Sequence, residues 1–543
     1  MEYISYSFIA FMAAGLILYA LLPKSFGKYV LLLASLLFVG LSGGAFSLIF
    51  LALGVCVSFF GAAAMERSKS GAVRTGIFLF VLIFHLGLLF YFKYQNFGEY
   101  TKELLGFISG EEYYPELIER SAPVGISFYT LMLIGYAADV YMGKYRAETS
   151  LPDFSLYASY FGHIVQGPID AYDEVGHGMA KQGGIRYEDL IEGGLRLCLG
   201  LFKKLVISER LALMVNMVFP DYMSYSWGVL LLCAAAFSLQ LYTDFSGCMD
   251  IVCGASRMFG IRLSVNFRQP FFSQSVAEFW RRWHITLGAF LRKYIYIPLG
   301  GNRKGLLRKH LNTIAVFFIS GLWHGGNWTY VIGTGLLHCV YMILGEHLKP
   351  FNKAVKGALH ISEESKLLRI VRSLWVFVLV TIGFVFFRSD SVISAVGYLS
   401  GIVALQESLY GPVTLELLGL SASDAVILVI GLVLIFLLSL QAELGRDSIF
   451  AWKDDRASAA AAKTKASASA NASSLGGQAM AQADAASAMT AGTSDGGAAV
   501  MGGASSKLLA RKETLLFVMV AVIILFGCYG RGYDASAFIY ATF

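Results

Sequence analysis

Long apolar blocks separated by short polar joints dominate this chain. Residues 8–22, 47–64, 77–92, 375–387, 425–440 and 515–528 each approach the roughly 20 apolar residues a helix needs to cross a bilayer. About ten to twelve such segments can be counted, and the pattern predicts an all-α polytopic membrane protein. The first block is read as a retained span, because residues 1–7 lack a basic stretch and no small-residue cleavage site follows.

Composition leads to the same class. Of 543 residues, 56% are hydrophobic and 15% are charged, against a charged share of roughly 25% in soluble domains. The net charge of +6 matters less than its placement. Lys24 and Lys28, then Arg67, Lys69 and Arg74, then Lys144 and Arg146 occupy every second short joint. The positive-inside rule puts those joints in the cytoplasm and the N-terminus outside. The basic residues flank membrane spans, and no feature supports binding to nucleic acid.

One break in composition divides the chain. Residues 457–507 are almost wholly small and polar and contain no aromatic side chain, so they cannot bury enough surface to offset chain entropy. The expected organisation is a helical bundle over 1–456, a disordered cytoplasmic loop over 457–507, and a last span with an aromatic tail over 508–543. A second polar insertion, 100–120, is expected outside. No fixed-period repeat is visible, so a duplicated transporter architecture gains no support. The seven cysteines form no CxxC pair, and neither a disulfide nor a metal site is expected.

Residues 279–345 contain no Asp or Glu but carry ten basic or potentially basic groups by His310, among them Arg281, Arg282, His284, Arg292, Lys293, Arg303, Lys304 and Arg308. Trp280, Trp283, His284, Leu287 and Leu291 follow i, i+3, i+4, i+7 spacing, which predicts one amphipathic helix lying at the membrane interface. An acid-free basic surface also suits the phosphates of coenzyme A or a phosphopantetheine arm.

Polar groups inside spans are functional candidates. His324 stands in Ile319-Ser-Gly-Leu-Trp-His-Gly-Gly-Asn-Trp-Thr between apolar runs. An imidazole there can take the proton of a hydroxyl nucleophile, and Gly325 and Gly326 remove bulk beside it. The alternative is a histidine hydrogen-bonded into a helix junction. His284, taken alone, reads as a packing residue. Asp244 and Asp250 could polarise a histidine or pair with Arg257 or Arg262, with a structural role favoured. No G-x-S-x-G, Walker A or H-E-x-x-H signature is present, which leaves a covalent serine mechanism without support.

Glu278-Phe-Trp-Arg-Arg-Trp-His-Ile-Thr-Leu, Tyr294-Ile-Tyr-Ile-Pro-Leu-Gly-Gly-Asn-Arg-Lys-Gly and Gly321-Leu-Trp-His-Gly resemble the membrane-bound O-acyltransferase family. They look most like its alginate O-acetyltransferase branch, related to the teichoic-acid D-alanyl transferase. Residues 89–97, Val124-Gly-Ile-Ser-Phe-Tyr-Thr, Gln166-Gly-Pro-Ile, Gly200-Leu-Phe-Lys-Lys, Asp244-Phe-Ser-Gly, Gly383-Phe-Val-Phe-Phe-Arg and Phe538-Ile-Tyr extend the likeness. The 457–507 stretch is outside the family pattern, and Gly162 stands where that pattern usually carries proline.

The resemblance implies a helical bundle with a central tunnel, in which a cytoplasmic thioester donor, acyl-CoA or acyl-carrier protein, meets a hydroxyl acceptor from the other side. It maps catalytic roles onto His324, as general base, and His284, as a positioning or polarising group. Arg281, Arg282, Trp283, Asn327 and Asp244 are expected to contribute to substrate or donor binding. No bound cofactor is expected. The implied partners are membrane lipids, the donor, and an extracytoplasmic protein that relays the acyl group to a glycan. The alternatives are D-alanyl transfer to teichoic acid from a carrier protein and, in another class, a non-enzymatic transporter or export scaffold.

Overall fold

The computed structural model describes residues 1–180, 184–445 and 497–529. Among them every regular element is helical. Six helical stretches among the described residues are long and apolar enough to cross a membrane: Lys24–Arg67, Gly71–Lys93, Trp227–Met258, Trp328–His347, Lys366–Arg388 and Ala422–Glu443. Tyr6–Leu21, Ile126–Tyr141 and Val392–Val403 are shorter apolar helices. The chain is therefore an all-α, multi-pass membrane protein.

The Gly27–Arg67 helix has 41 residues, about 60 Å if it ran straight, which is twice the hydrocarbon core of a bilayer. It does not run straight. Gly44 adopts φ 66° and ψ −171° and divides it, a conformation that the missing Cβ permits. The apolar block read from the sequence over 47–64 lies within its second half.

The helices Tyr187–Leu201 and Trp227–Met258 approach backbone to backbone. A Cβ added to Gly193 would lie 2.6 Å from the Gly254 carbonyl oxygen, and one added to Gly200 would lie 2.5 Å from that of Gly247. Small residues at such crossings let helices touch where no hydrophobic force separates protein from lipid. The wide-turn segment Phe202–Ser208 follows, and it delivers Lys203 and Lys204 to carboxylates on the facing helix. Lys204 lies 2.7 Å from Asp244 and 2.6 Å from Glu209. Asp250 takes Lys203 at 2.7 Å and Arg196 at 3.0 Å. The sequence had offered Arg257 as a partner for these aspartates, but Arg257 instead reaches Asp189 and Glu192.

The single amphipathic helix expected around 280–291 is corrected. A helix over Val276–Arg282 stops at Trp283, and a second one, Ile285–Leu291, starts from His284 as its N-cap. His284 has φ 46°, a left-handed conformation uncommon for a residue with a Cβ. The turn drives Trp283 and His284 into the protein, where they are 1% and 2% exposed, instead of laying them on an interface. The last helix, Gly497–Phe526, starts within the stretch read as a loop. The rest of that loop and the aromatic tail lie outside the described residues.

Candidate active site

His324 closes the helix Leu306–His324, and the chain turns sharply at Gly325. The imidazole is 3% exposed and packs edge-on against Trp323 and Phe387, with ring centroids 5.1 and 5.5 Å away. Tyr330, which follows one short turn later, packs on the same Phe387 ring at 5.0 Å. Gly325 lines the cavity that reaches His324 and has a second use in the fold. A Cβ at Gly325 would sit 2.5 Å from the Tyr330 ring, so the glycine lets that ring fold over the helix end.

A cavity of about 690 Å³ reaches His324. Lys93, Asn96, Tyr100, Arg120, Ser127 and Tyr330 share its lining with Gly325, Gly326 and Asn327. Ser42 and residues 122–125 line it as well, and Tyr100 and Arg120 belong to the polar insertion expected outside. Three helix ends meet beside His324. Lys93, the last residue of Gly71–Lys93, donates to the Trp323 carbonyl at 2.6 Å and to the Ser127 hydroxyl at 3.1 Å. The Trp323 indole donates to the Ser127 carbonyl at 3.1 Å. Ser127 is placed by Gly125, whose left-handed φ of 75° starts the helix Ile126–Tyr141 and whose Cβ would collide with the Ile164 carbonyl oxygen.

His284 joins this group through aromatic contacts. Its ring packs edge-on against Phe245 at 4.9 Å and against Trp323 at 5.9 Å. The segment is fixed by Asn266, whose side-chain oxygen accepts from the backbone and hydroxyl of Thr286 at 2.9 and 2.8 Å. The two histidines therefore share one indole.

The other residues named from the sequence are dispersed. Asn327 lines the cavity, caps the next turn by accepting from the Thr329 N–H at 3.0 Å, and donates to the Asp390 carbonyl at 2.8 Å. Trp283 stacks on Phe279 at 5.3 Å inside the aromatic core. Arg282 is held by Glu278 and Glu443 at 2.6 and 2.5 Å, while Arg281 is exposed. Asp244 is fully buried in its pair with Lys204. Lys93, Ser127, Tyr330, Tyr100 and Arg120 were not singled out from the sequence. A lysine ending an apolar block was the available signal, since a charge is costly at that depth.

Comparison with known proteins adds the chemistry. The membrane-bound O-acyltransferase family model matches residues 144–354, a span that holds both histidines. In Azotobacter vinelandii the protein named "Probable alginate O-acetylase AlgI" is 35% identical over 69% of this chain and 72% of its own length. The chain belongs to the membrane-bound O-acyltransferase family. A peptidoglycan O-acetyltransferase of Helicobacter pylori is 31% identical over 73% of this chain and 78% of its own. The teichoic acid D-alanyltransferase of Bacillus subtilis is more distant, 26% identical over 43% of this chain and 61% of its own. This member of the family is thus a membrane O-acyltransferase, and the transporter alternative falls away.

Proposed function

We propose that the protein moves an acetyl group from a cytoplasmic thioester to a hydroxyl on a cell-surface or exported glycan, or on a partner protein that relays it. The observation that carries this reading is the position of His324 at the inner wall of a polar cavity. A hydroxyl entering that cavity gives its proton to His324 and attacks the thioester carbonyl carbon. The carbonyl pair moves to oxygen, then returns as the C–S bond breaks, and the leaving thiolate takes the proton from the imidazolium. No acyl-enzyme is required.

The donor arrives from the opposite face. Arg281, Arg292, Arg303, Lys304 and Arg308 are exposed and lie in a stretch free of acidic residues, whose Lys293 shares Asp139 with Lys144 of a joint read as cytoplasmic; such a surface suits the phosphates of acyl-CoA or of a carrier-protein arm. Acetyl is favoured over D-alanyl because the acetyl-transferring relatives match more of the chain at higher identity. Mass spectrometry of surface glycans from cells with and without the protein tests the reading. An added acetyl mass dependent on His324 is expected. An alanyl mass would transfer the reaction to the D-alanyl branch, and no His324-dependent acyl mass on glycan or protein would overturn the proposal.

A further inference from the structure

We propose that Lys93 is a catalytic residue that stabilises the oxyanion formed when the acceptor hydroxyl attacks the thioester; this rests on acyl transfer taking place at His324. Lys93 lines the same cavity as His324, and its ammonium is bonded to two other lining elements of that wall. It lies 2.6 Å from the Trp323 carbonyl oxygen, 3.1 Å from the Ser127 hydroxyl and 5.3 Å from the centre of the Trp323 ring. An ammonium has three N–H donors. Two are committed to these oxygens, and the third is left for the cavity.

The partners of Lys93 set it apart from the other inward-facing lysines. Lys203, Lys204 and Lys293 each meet an aspartate at 2.7 Å. Lys93 meets only neutral oxygens and a ring face, and among the described residues no carboxylate neutralises it. An uncompensated cation among apolar helices is costly. Glu2 is a carboxylate in the same cavity lining, and a negative charge that forms beside the ammonium during the reaction is stabilised by it directly.

The reaction supplies that charge at one point. The thioester carbonyl is neutral before attack. When the hydroxyl oxygen bonds to the carbonyl carbon, the π pair moves to the carbonyl oxygen and His324 holds the hydroxyl proton. Collapse restores the carbonyl and breaks the C–S bond, and the thiolate takes the proton back from His324. Lys93 keeps its own proton throughout. A donor that meets charge only in the transition state raises kcat with little effect on ground-state binding.

The competing role is that of a tie, holding Trp323 and so His324 in place. Three full-length variants in detergent, Lys93→Met, Lys93→Arg and Lys93→Gln, separate the two. The probe is S-acetylpantetheine, the arm common to coenzyme A and carrier proteins, and the thioether S-ethylpantetheine reports binding without a carbonyl. Lys93→Met is expected to lower kcat about 100- to 1,000-fold, as loss of one oxyanion donor does, with S-ethylpantetheine bound as by the wild type. Lys93→Arg should retain more kcat than Lys93→Met while being no more heat-stable, because charge and not volume is at issue. If Lys93→Met does not fold, Lys93→Gln makes the same comparison. A neutral variant with kcat within threefold of the wild type, or one at least as active as Lys93→Arg, would overturn the inference. Should His324→Ala cleave the probe normally, the reading of acyl transfer at His324 falls; a dead His324→Ala beside an active Lys93→Met removes the lysine's role alone.

Discussion

His284 and His324 pack edge-on against the same ring, that of Trp323, at centroid distances of 5.9 and 5.1 Å. The indole is buried and anchored by its N–H to the Ser127 carbonyl. Replacing Trp323 with Ala removes the common wall and should cost about 3–5 kcal/mol of stability. Trp323→Phe keeps most of the packing and loses the hydrogen bond, so its melting temperature should fall less than that of Trp323→Ala. Thermal melts in detergent with acyl-transfer rates check both. A Trp323→Ala protein with wild-type stability and rate would mean that the indole positions neither histidine.

The left-handed backbone at His284 gives a way to separate its fold from its chemistry. Such a conformation costs most L-residues about 1–2 kcal/mol, and Asn and Gly tolerate it best. His284→Asn should therefore fold with at least the stability of His284→Ala. Both should lose acyl transfer about tenfold or more, equivalent to the ~1.4 kcal/mol of a lost polarising contact. Full activity in His284→Asn would reduce His284 to a packing residue.

Asp244 is assigned here to structure, through the buried group it forms with Lys204 and Glu209. Removing Lys204 leaves two buried carboxylates without their cation and costs about 3–5 kcal/mol, whereas Asp244→Asn leaves Lys204 paired with Glu209. Lys204→Met should therefore lower the melting temperature strongly and Asp244→Asn less, with donor KM unchanged in whatever protein folds. A stable Asp244→Asn protein with a raised donor KM would place Asp244 in the donor site instead.

Two adjacent glycines should respond differently to the same methyl group. At Gly325 the Cβ meets the Tyr330 ring at 2.5 Å, whereas at Gly326 the nearest atoms are 3.4 Å away. Gly325→Ala should displace Tyr330 and destabilise by about 1–3 kcal/mol, the usual cost of overpacking. Gly326→Ala should melt close to the wild type. Equal melting temperatures would show that the turn after His324 is not held by the Tyr330 ring.

The spans were legible because apolar blocks are a local signal, and His324 was legible because a histidine between glycines interrupts one. The break at His284 was hidden. A single left-handed residue between two short helices leaves the apolar spacing on each side nearly intact, so periodicity reads through it. Lys93 was hidden for another reason: its contact with Trp323 joins positions 230 residues apart. Likewise the lysine partners of Asp244 and Asp250 sit 40 and 47 residues upstream, and composition could not choose them over a nearer arginine.

The role proposed for His324 is that of the base for acyl transfer. Its most direct test is the rate of label transfer from an acetyl-labelled thioester by His324→Ala protein that inserts and melts like the wild type. A fall of about 100- to 10,000-fold is expected for loss of a general base. A rate within a few-fold of the wild type would contradict the account.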